Sequence, residues 1–382
     1  MKETKLTDIC SIQYGYPFDA SLFSSVPEDG MPLIRIRDVK SGSTSTYYKG
    51  TVINEYIIRK GDFLIGMDGE FNIEPWKSED ALLNQRVCKI DSKSSDVSIR
   101  YIYRFLKKEL KRIEDDTPFA TVKHLSAKRL NQIQLPLPPL SEQEQIVSEL
   151  DLISGVIEKK KQQLKELDSL AQSVFYEMFG NPVENDKGWE VKKLGEVCEV
   201  NPSKKETSRF LCNTDDVSFL PMEDLPIKAC YYAPVQKRKL SEVQSSYTCF
   251  ANKDVLMAKV TPCFENGKVG IATDLQNGVG YGSSEFIVIR TNNIDVISEY
   301  IYHIVQDSIF VDNACSQLTG TSGLRRVPRQ YVEDCKIGIP PLSLQQEFAS
   351  KIEAIERQKK LIKQSLKDTE TLFDSRMNFY FN

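Results

Sequence analysis

The residues able to do chemistry are few and poorly grouped. There are two histidines, His124 and His303, so a Ser-His-Asp or Cys-His mechanism would rest on one of them. No G-x-S-x-G elbow sets a nucleophile in the chain, and each histidine reads as a surface or helix residue. Asp68-Gly69-Glu70 brings two carboxylates together, as a metal site or a paired-carboxylate hydrolase needs, but no partner cluster accompanies it, which favours a loop. Nine cysteines from Cys10 to Cys335 include no C-x-x-C pair, a pattern of reduced thiols with no zinc-ligand spacing. Asn181-Pro182-Val183 and Asn201-Pro202-Ser203 fall short of the N/D-P-P-Y/F loop that holds an adenine amine for methylation. No G-x-x-x-x-G-K-S/T phosphate cradle occurs, and Gly278-Val279-Gly280-Tyr281-Gly282 misses the dinucleotide spacing and reads as a turn. No Pro-Asp followed by Glu-x-Lys suggests a nuclease. The chain carries no enzyme signature.

The elements that position these residues belong to an ordinary globular chain. It has 382 residues, 27% charged and 40% hydrophobic, enough for two or three domains with their own cores. Its apolar runs fall short of the ~20 residues of a membrane span. Met1 to Ser11 lacks the apolar stretch of a signal peptide, so a cytoplasmic location is expected. A net charge of -4 gives no global attraction to nucleic acid, so DNA binding would need local basic patches or a partner's help.

The chain is written twice. Leu135 to Ser141 returns as Ile337 to Ser343 at an offset of 202, with Gln143 matching Gln345. Leu6 to Cys10 resembles Leu194 to Cys198 at 188, Gly61 to Ile65 resembles Lys253 to Met257 at 192, and Tyr101 to Tyr103 repeats as Tyr300 to Tyr302 at 199. The drifting offset places insertions in the loops of the second copy. Each copy opens with β-rich runs (Leu33 to Ile36, Asp62 to Gly66, Phe286 to Arg290) interrupted by helical patterns (Ile99 to Ile113, Ile297 to Val311), which reads as an α+β globule. Pro138-Pro139 and Pro340-Pro341 then break regular structure, and Ser141 with Glu144, or Ser343 with Gln346, resembles a capping box opening a helix.

Two helices carry the clearest periodicity. Ile146, Leu150, Ile153, Ile157, Leu164, Leu167, Ala171, Val174 and Met178 alternate in steps of four and three, broken at Lys160. Phe348, Ile352, Ile355, Ile362, Leu366, Thr369 and Phe373 follow the same register, with Lys359 in the seam. A 3.5-residue repeat over about five heptads indicates a coiled coil, each helix about 55 Å long. With two seams in one chain, the economical pairing is intramolecular; packing on the globules or a dimerisation arm are the alternatives. Glu142 to Gly180 carries a net -4 and Leu344 to Asn382 a net +1, so the globules are near neutral.

The strings LPLPPLSEQEQI, PPLSLQQEF, GDFLIGMDGEFN, LLNQRV, TPCFENGK and TGTSGLRRVP, in a doubled frame spanning essentially the whole chain, closely resemble the specificity subunit of type I restriction-modification enzymes. The resemblance implies two tandem target recognition domains of mixed β-sheet and short helices, separated by two long helices forming an antiparallel coiled coil. The corresponding boundaries are 1–141, 142–182, 183–343 and 344–382. It implies that each domain reads half of a bipartite, asymmetric sequence in double-stranded DNA. Two methyltransferase subunits would dock on the scaffold and restriction/translocase subunits could join, so S-adenosylmethionine, ATP and Mg would belong to those partners and no cofactor to this non-catalytic chain. A bacterial or archaeal cytoplasm and no membrane follow.

For DNA contact, Arg35 and Arg37, with Lys40 nearby, fall at alternate positions of an expected strand, which would put both arginines on one face; arginine there could take guanine bidentately. Arg325, Arg326 and Arg329 follow the loop Thr319 to Gly323, with Thr319 and Thr321, and the matching stretch Thr121 to Ala127 holds Lys123 and His124. Asp68, Asn72, Gln85, Arg86, Lys259, Asn266 and Ser284 sit in strings resembling the family's loops. Lys237-Arg238-Lys239 reads as a solvated charge run. The rival readings are a nuclease or methyltransferase with an unfamiliar site, a coiled-coil scaffold without a nucleic-acid role, and a specificity protein for another phage-defence methyltransferase.

Overall fold

The computed structural model describes residues 3–118, 123–181, 184–227, 229–321 and 324–381. The chain divides into two units: Met1–Lys159 with Lys367–Asn382, and Lys160–Leu366.

Unit 1 holds a four-stranded antiparallel sheet in the order Cys10–Tyr14, Val87–Ser92, Phe63–Gly66, Asn72–Pro75. Beside it lies a five-stranded mixed sheet in which Met31–Ile34 runs parallel to Ala81–Leu83. Unit 2 repeats the plan. Cys198–Val200, Phe286–Thr291, Val255–Ala258 and Val269–Ala272 follow one another antiparallel, and Asp216–Leu220 lies parallel to Val279–Gly282 in the second sheet. Both copies close with the same strand pair, Glu3–Lys5 on Gln134–Pro136 and Glu190–Lys193 on Lys336–Ile339.

Two local expectations are corrected. The strand expected at Leu33 to Ile36 is Met31–Ile34, because the Asp38 carboxylate accepts from the Arg35 N–H at 2.8 Å and turns the chain. Arg35 and Arg37 therefore stand on a turn instead of on one strand face. The helical pattern Ile297 to Val311 is two helices, Ser298–Gln306 and Ser308–Ser316. Asp307 between them is extended (φ -62°, ψ 138°) and its carboxylate caps the Ile309 N–H at 2.9 Å.

The long helices are α1 (Leu140–Phe179) and α2 (Leu342–Phe381), 40 residues each. The capping box is absent: each helix starts one residue before its serine, and the Pro139 carbonyl accepts from the Glu142 and Gln143 N–H groups, as Pro341 does from Leu344 and Gln345. All sixteen expected seam residues, Ile146 to Met178 and Phe348 to Phe373, are buried or half-buried. Within unit 1, Glu149 of α1 bonds Arg376 and, at 2.6 Å, Tyr380 of α2; within unit 2, Asp168 of α1 meets Lys359 of α2 at 2.8 Å. Rising numbers on one helix meet falling numbers on the other, so the pairing is antiparallel. Lys160, the break in the first seam, donates to the Ser365 carbonyl at 2.9 Å, so the interruption is satisfied.

Each globular core takes in both helices. Ile146, Val147 and Leu150 join Met377 and Phe381 in the core of unit 1; Phe348, Ile352 and Ile355 join Ala171, Phe175 and Phe179 in that of unit 2. Four of these pairs, Ile146/Phe348, Leu150/Ile352, Phe175/Met377 and Phe179/Phe381, are related by the offset of 202. Fully burying such side chains contributes about 1.5–3 kcal/mol each.

Candidate nucleic-acid interface

In each unit three chain segments converge where one strand of the antiparallel sheet ends. In unit 1 the segments are Met67-Asp68, Gln85-Arg86 and Lys123 to Leu125. The Met67 N–H donates to the Arg86 carbonyl at 3.0 Å, and the Leu125 N–H to the Met67 carbonyl at 2.7 Å. In unit 2 the Lys259 N–H donates to the Glu285 carbonyl and the Val327 N–H to the Lys259 carbonyl, both at 2.9 Å. These bonds align Met67 with Lys259, Asp68 with Val260, Gln85 with Ser284, Arg86 with Glu285 and His124 with Arg326.

The unit 1 cluster is built around Asp68. Its carboxylate lies 2.5 Å from His124 Nδ1 and 3.5 Å from Arg86 Nε. Arg86 holds a left-handed backbone (φ 72°), which costs a long side chain about 1–2 kcal/mol and persists because the turn is tied down. The Gln85 N–H donates to the Tyr16 carbonyl at 2.9 Å, fixing that turn. Lys40 reaches the cluster's edge by pairing with Glu70 at 2.8 Å, an exposed contact. Asn72 donates to the Glu70 carbonyl at 3.1 Å, while its buried Oδ1 has no hydrogen-bond partner. Arg37 is exposed, its Nε 3.7 Å from Asp38. Lys123 is turned away, its ammonium 2.5 Å from the Glu114 carbonyl.

The unit 2 cluster is built around Glu285. Arg326 meets it with both edges of its fork, Nε to Oε2 at 2.9 Å and Nη2 to Oε1 at 2.8 Å. Lys259 donates to the Ser284 carbonyl at 2.8 Å and stands 3.8 Å from Glu285. The guanidinium beside Glu285 holds its carboxyl below the usual range. Thr319 and Arg326 exchange two backbone bonds, at 3.0 and 2.8 Å, and Thr321 accepts from the Leu324 N–H at 3.1 Å. Arg325 lies 3.9 Å from Glu265, which brings the exposed turn at Asn266 alongside. Arg329 pairs instead along its own helix with Glu333 at 2.7 Å. Ser322, Gly323 and Thr121 lie outside the described residues.

The structure thus gathers Asp68, Arg86 and His124 with Lys40 and Asn72 at their margin, and Lys259, Ser284, Thr319, Thr321, Arg325 and Arg326 with Asn266. Glu285 and Glu265 were not singled out by sequence reasoning, and Glu70 only as one half of the Asp68-Gly69-Glu70 carboxylate pair; the repeat itself carried the signal, since Arg86 falls on Glu285 at the same offset of 199 as Tyr101 on Tyr300. Lys237 to Lys239 form an edge strand, with Arg238 3.7 Å over the Phe219 ring and Lys239 on Asp216 at 2.9 Å.

His303 is packed in the unit 2 core, its ring stacked on Phe175 with centroids 5.3 Å apart, and burial beside Lys359 pushes it down to about 3, so it is neutral. Burial raises the Cys10, Cys88 and Cys198 thiols to about 12. Among the described residues no group of three His, Cys, Asp or Glu could hold a metal ion, and no helix is long and apolar enough to cross a membrane.

Two copies of one α+β frame, each with a cluster of cations, acids and amides at one sheet end and each completed by halves of two long helices, define a duplicated recognition protein. The chain belongs to the family of the type I restriction modification DNA specificity domain, whose model matches residues 1–169 and 186–370. It is 42% identical over 165 residues to the EcoBI specificity subunit of Escherichia coli, across 43% of this chain and 35% of that protein. The EcoAI specificity subunit of the same organism is 36% identical over 167 residues, covering 44% and 28%. The chain thus spans about a third of the length of these relatives. The MjaVIII specificity subunit of Methanocaldococcus jannaschii is 23% identical over 345 residues, 85% of this chain and 79% of that one. In fold the chain resembles the type I restriction-modification S subunit of M. genitalium, with a TM-score of 0.55, 12% identity and coverage of 100% and 96%.

Proposed function

We propose that this protein is the DNA-specificity subunit of a type I restriction-modification system: a non-catalytic adaptor whose two units each read one half of a bipartite, asymmetric site in double-stranded DNA. The observation carrying this reading is the recurrence of one contact cluster, built from the same three chain segments, in both copies of the frame. A catalytic centre has no reason to be doubled with different side chains, whereas two readers of different half-sites need a shared scaffold and distinct contacts. Arg86, His124, Lys259, Arg325 and Arg326 offer donors to phosphates and base edges; Gln85, Asn72, Asn266, Ser284, Thr319 and Thr321 offer amides and hydroxyls around them. Arg35, Arg37 and Lys40 extend the positive surface of unit 1.

The chain's near neutrality fits a subunit whose partners supply much of the phosphate-binding charge. Those partners are two adenine methyltransferase subunits, joined by restriction/translocase subunits, which bring S-adenosylmethionine, ATP and Mg. The compartment is the cytoplasm of a bacterium or archaeon. Mapping modified adenines by long-read sequencing in cells with and without the gene tests the reading. A bipartite motif that disappears on deletion is expected; a motif unaffected by deletion in cells that make the methyltransferase would overturn it.

A further inference from the structure

The two clusters occupy matching places but carry their charges on different segments. At the second position past the strand end, unit 1 has the acid Asp68 and unit 2 the apolar Val260; at the position in the turn, unit 1 has the cation Arg86 and unit 2 the acid Glu285. The third position carries His124 or Arg326, and Lys259 replaces Met67. Each cluster therefore keeps one carboxylate in contact with two cationic or imidazole groups, although the acid comes from a different segment. An acid retained at a surface meant for a polyanion opposes binding unless it does something else there.

The contact geometry of unit 2 points to that role. Arg326 presents Nε and Nη2 to Glu285 as a parallel fork at 2.9 and 2.8 Å. Guanine offers the same fork two acceptors, N7 and O6, in the major groove. The pair is half-exposed, with side-chain accessibilities of 42% for Arg326 and 28% for Glu285, so a duplex can reach it.

We infer that Glu285 and Asp68 are specificity-determining residues, which hold the cations of their clusters in place and release them only to a base edge offering matching acceptors. The inference rests on the DNA-reading function proposed above. With no guanine in register, the guanidinium stays on the carboxylate, and the free face of the acid repels phosphate and base acceptors alike. With guanine in register, N7 and O6 replace the two carboxylate oxygens one for one. The acid thus subtracts from sequence-independent attraction more than from target binding, which widens the ratio between them. In unit 1 Asp68 does the same for Arg86 and His124.

The test uses the full complex with its methyltransferase. Glu285→Gln keeps the size and one acceptor but removes the charge; Asp68→Asn does so in the other unit. For Glu285→Gln the methylated motif should relax at one half-site and stay intact at the other, and affinity for non-target DNA should rise several-fold. The slope of log affinity against log salt for non-target DNA should steepen by about one, as for one more phosphate contact. Asp68→Asn should relax the opposite half-site, and it decides the matter alone if Glu285→Gln does not assemble. A merely structural ion pair would lower the melting temperature and leave motif and salt slope unchanged, which overturns the inference while the DNA reading stands. If Arg326→Ala and Arg86→Ala also leave motif and affinity unchanged in an assembled complex, the placement of the DNA contacts at these clusters is itself wrong.

Discussion

At the residue scale the sharpest feature is a glutamine used twice. Gln143 is 1% exposed and Gln345 0%. The Gln143 amide donates to the Asp96 and Pro138 carbonyls at 3.1 and 2.8 Å and accepts from the Ser98 N–H at 2.9 Å. Gln345 repeats all three bonds with Asp295, Pro340 and Ile297, at 2.8, 2.8 and 3.1 Å. Each pins the first turn of a long helix to the loop leading into the globule's own helix. Nearby, the Tyr101 hydroxyl donates to the Pro136 carbonyl and that of Tyr300 to the Gly338 carbonyl, at 2.8 and 2.7 Å. Gln143→Leu would strand one buried N–H and two carbonyls, at about 1–3 kcal/mol for each unsatisfied group with partial relaxation. We expect a loss of about 3 kcal/mol in the stability of unit 1, read by chemical denaturation, and Gln345→Leu should do the same to unit 2. A loss below about 1 kcal/mol would mean water replaces the amide. The Gln143/Gln345 match was legible from the repeat, but its purpose was not, because the partners at 45 to 50 residues' separation in sequence are set by the fold. A thiol test belongs here too: a disulfide probe at pH 8 should label exposed Cys212 in the native protein but spare Cys10, Cys88 and Cys198, whose burial raises the thiol to about 12. Rapid labelling of those three would show that the cores open.

At the scale of elements, hydrophobic period was enough to find the helices and their seam, since an apolar stripe repeating every 3.5 residues has few other uses. It could not say what a lysine in the seam does. Lys359 is 4% exposed and lies between Asp168 and Glu356 at 2.8 and 2.6 Å, and these two partners hold its ammonium above the ordinary lysine range against the opposing pull of burial. A folded pKa above the unfolded one contributes stability that is complete below the unfolded value and fades as pH rises through the folded one, so this pair weakens the helices only in strong alkali. Lys359→Met removes the ammonium and leaves two carboxylates facing each other. Since Asp168 is 41% exposed, solvent screens much of the cost, and a loss of about 1–2 kcal/mol for unit 2 at neutral pH is expected, falling as added salt screens the acids. Unchanged or higher stability would show that the lysine serves register alone. The sheets were less legible than the helices. Strands of two to six residues leave too little alternation to fix their ends, and the side-chain turn at Asp38 and the cap at Asp307 each overrode a continuous apolar pattern.

At the scale of the molecule, duplication is the organising fact, and it explains which functional residues could be read in advance. Sequence strings pointed to the loops, since loops differ between copies while the frame persists; they picked out Asp68 along with the cations but passed over Glu285, whose partner Arg326 lies 41 residues away in sequence and meets it only through the fold. The long helices carry the remaining prediction. Each runs without a break through both units: α1 gives residues 140–159 to the first and 160–179 to the second, and α2 gives 342–366 to the second and 367–381 to the first. A seven-residue insertion keeps the apolar seam in register and adds about 10.5 Å to a helix at 1.5 Å per residue. At about 3.4 Å per base pair, that equals roughly three base pairs. Inserting one heptad into the middle of each helix should therefore leave both half-sites unaltered and lengthen the unread spacer of the methylated motif by about three base pairs. A spacer of the original length, in a complex that still assembles and methylates, would show that the helices do not act as the ruler. The insertion also shifts the two clusters around the duplex by about a third of a helical turn, so reduced methylation with a lengthened spacer still supports the ruler, while loss of either half-site would tie the readers to the helices more closely than proposed.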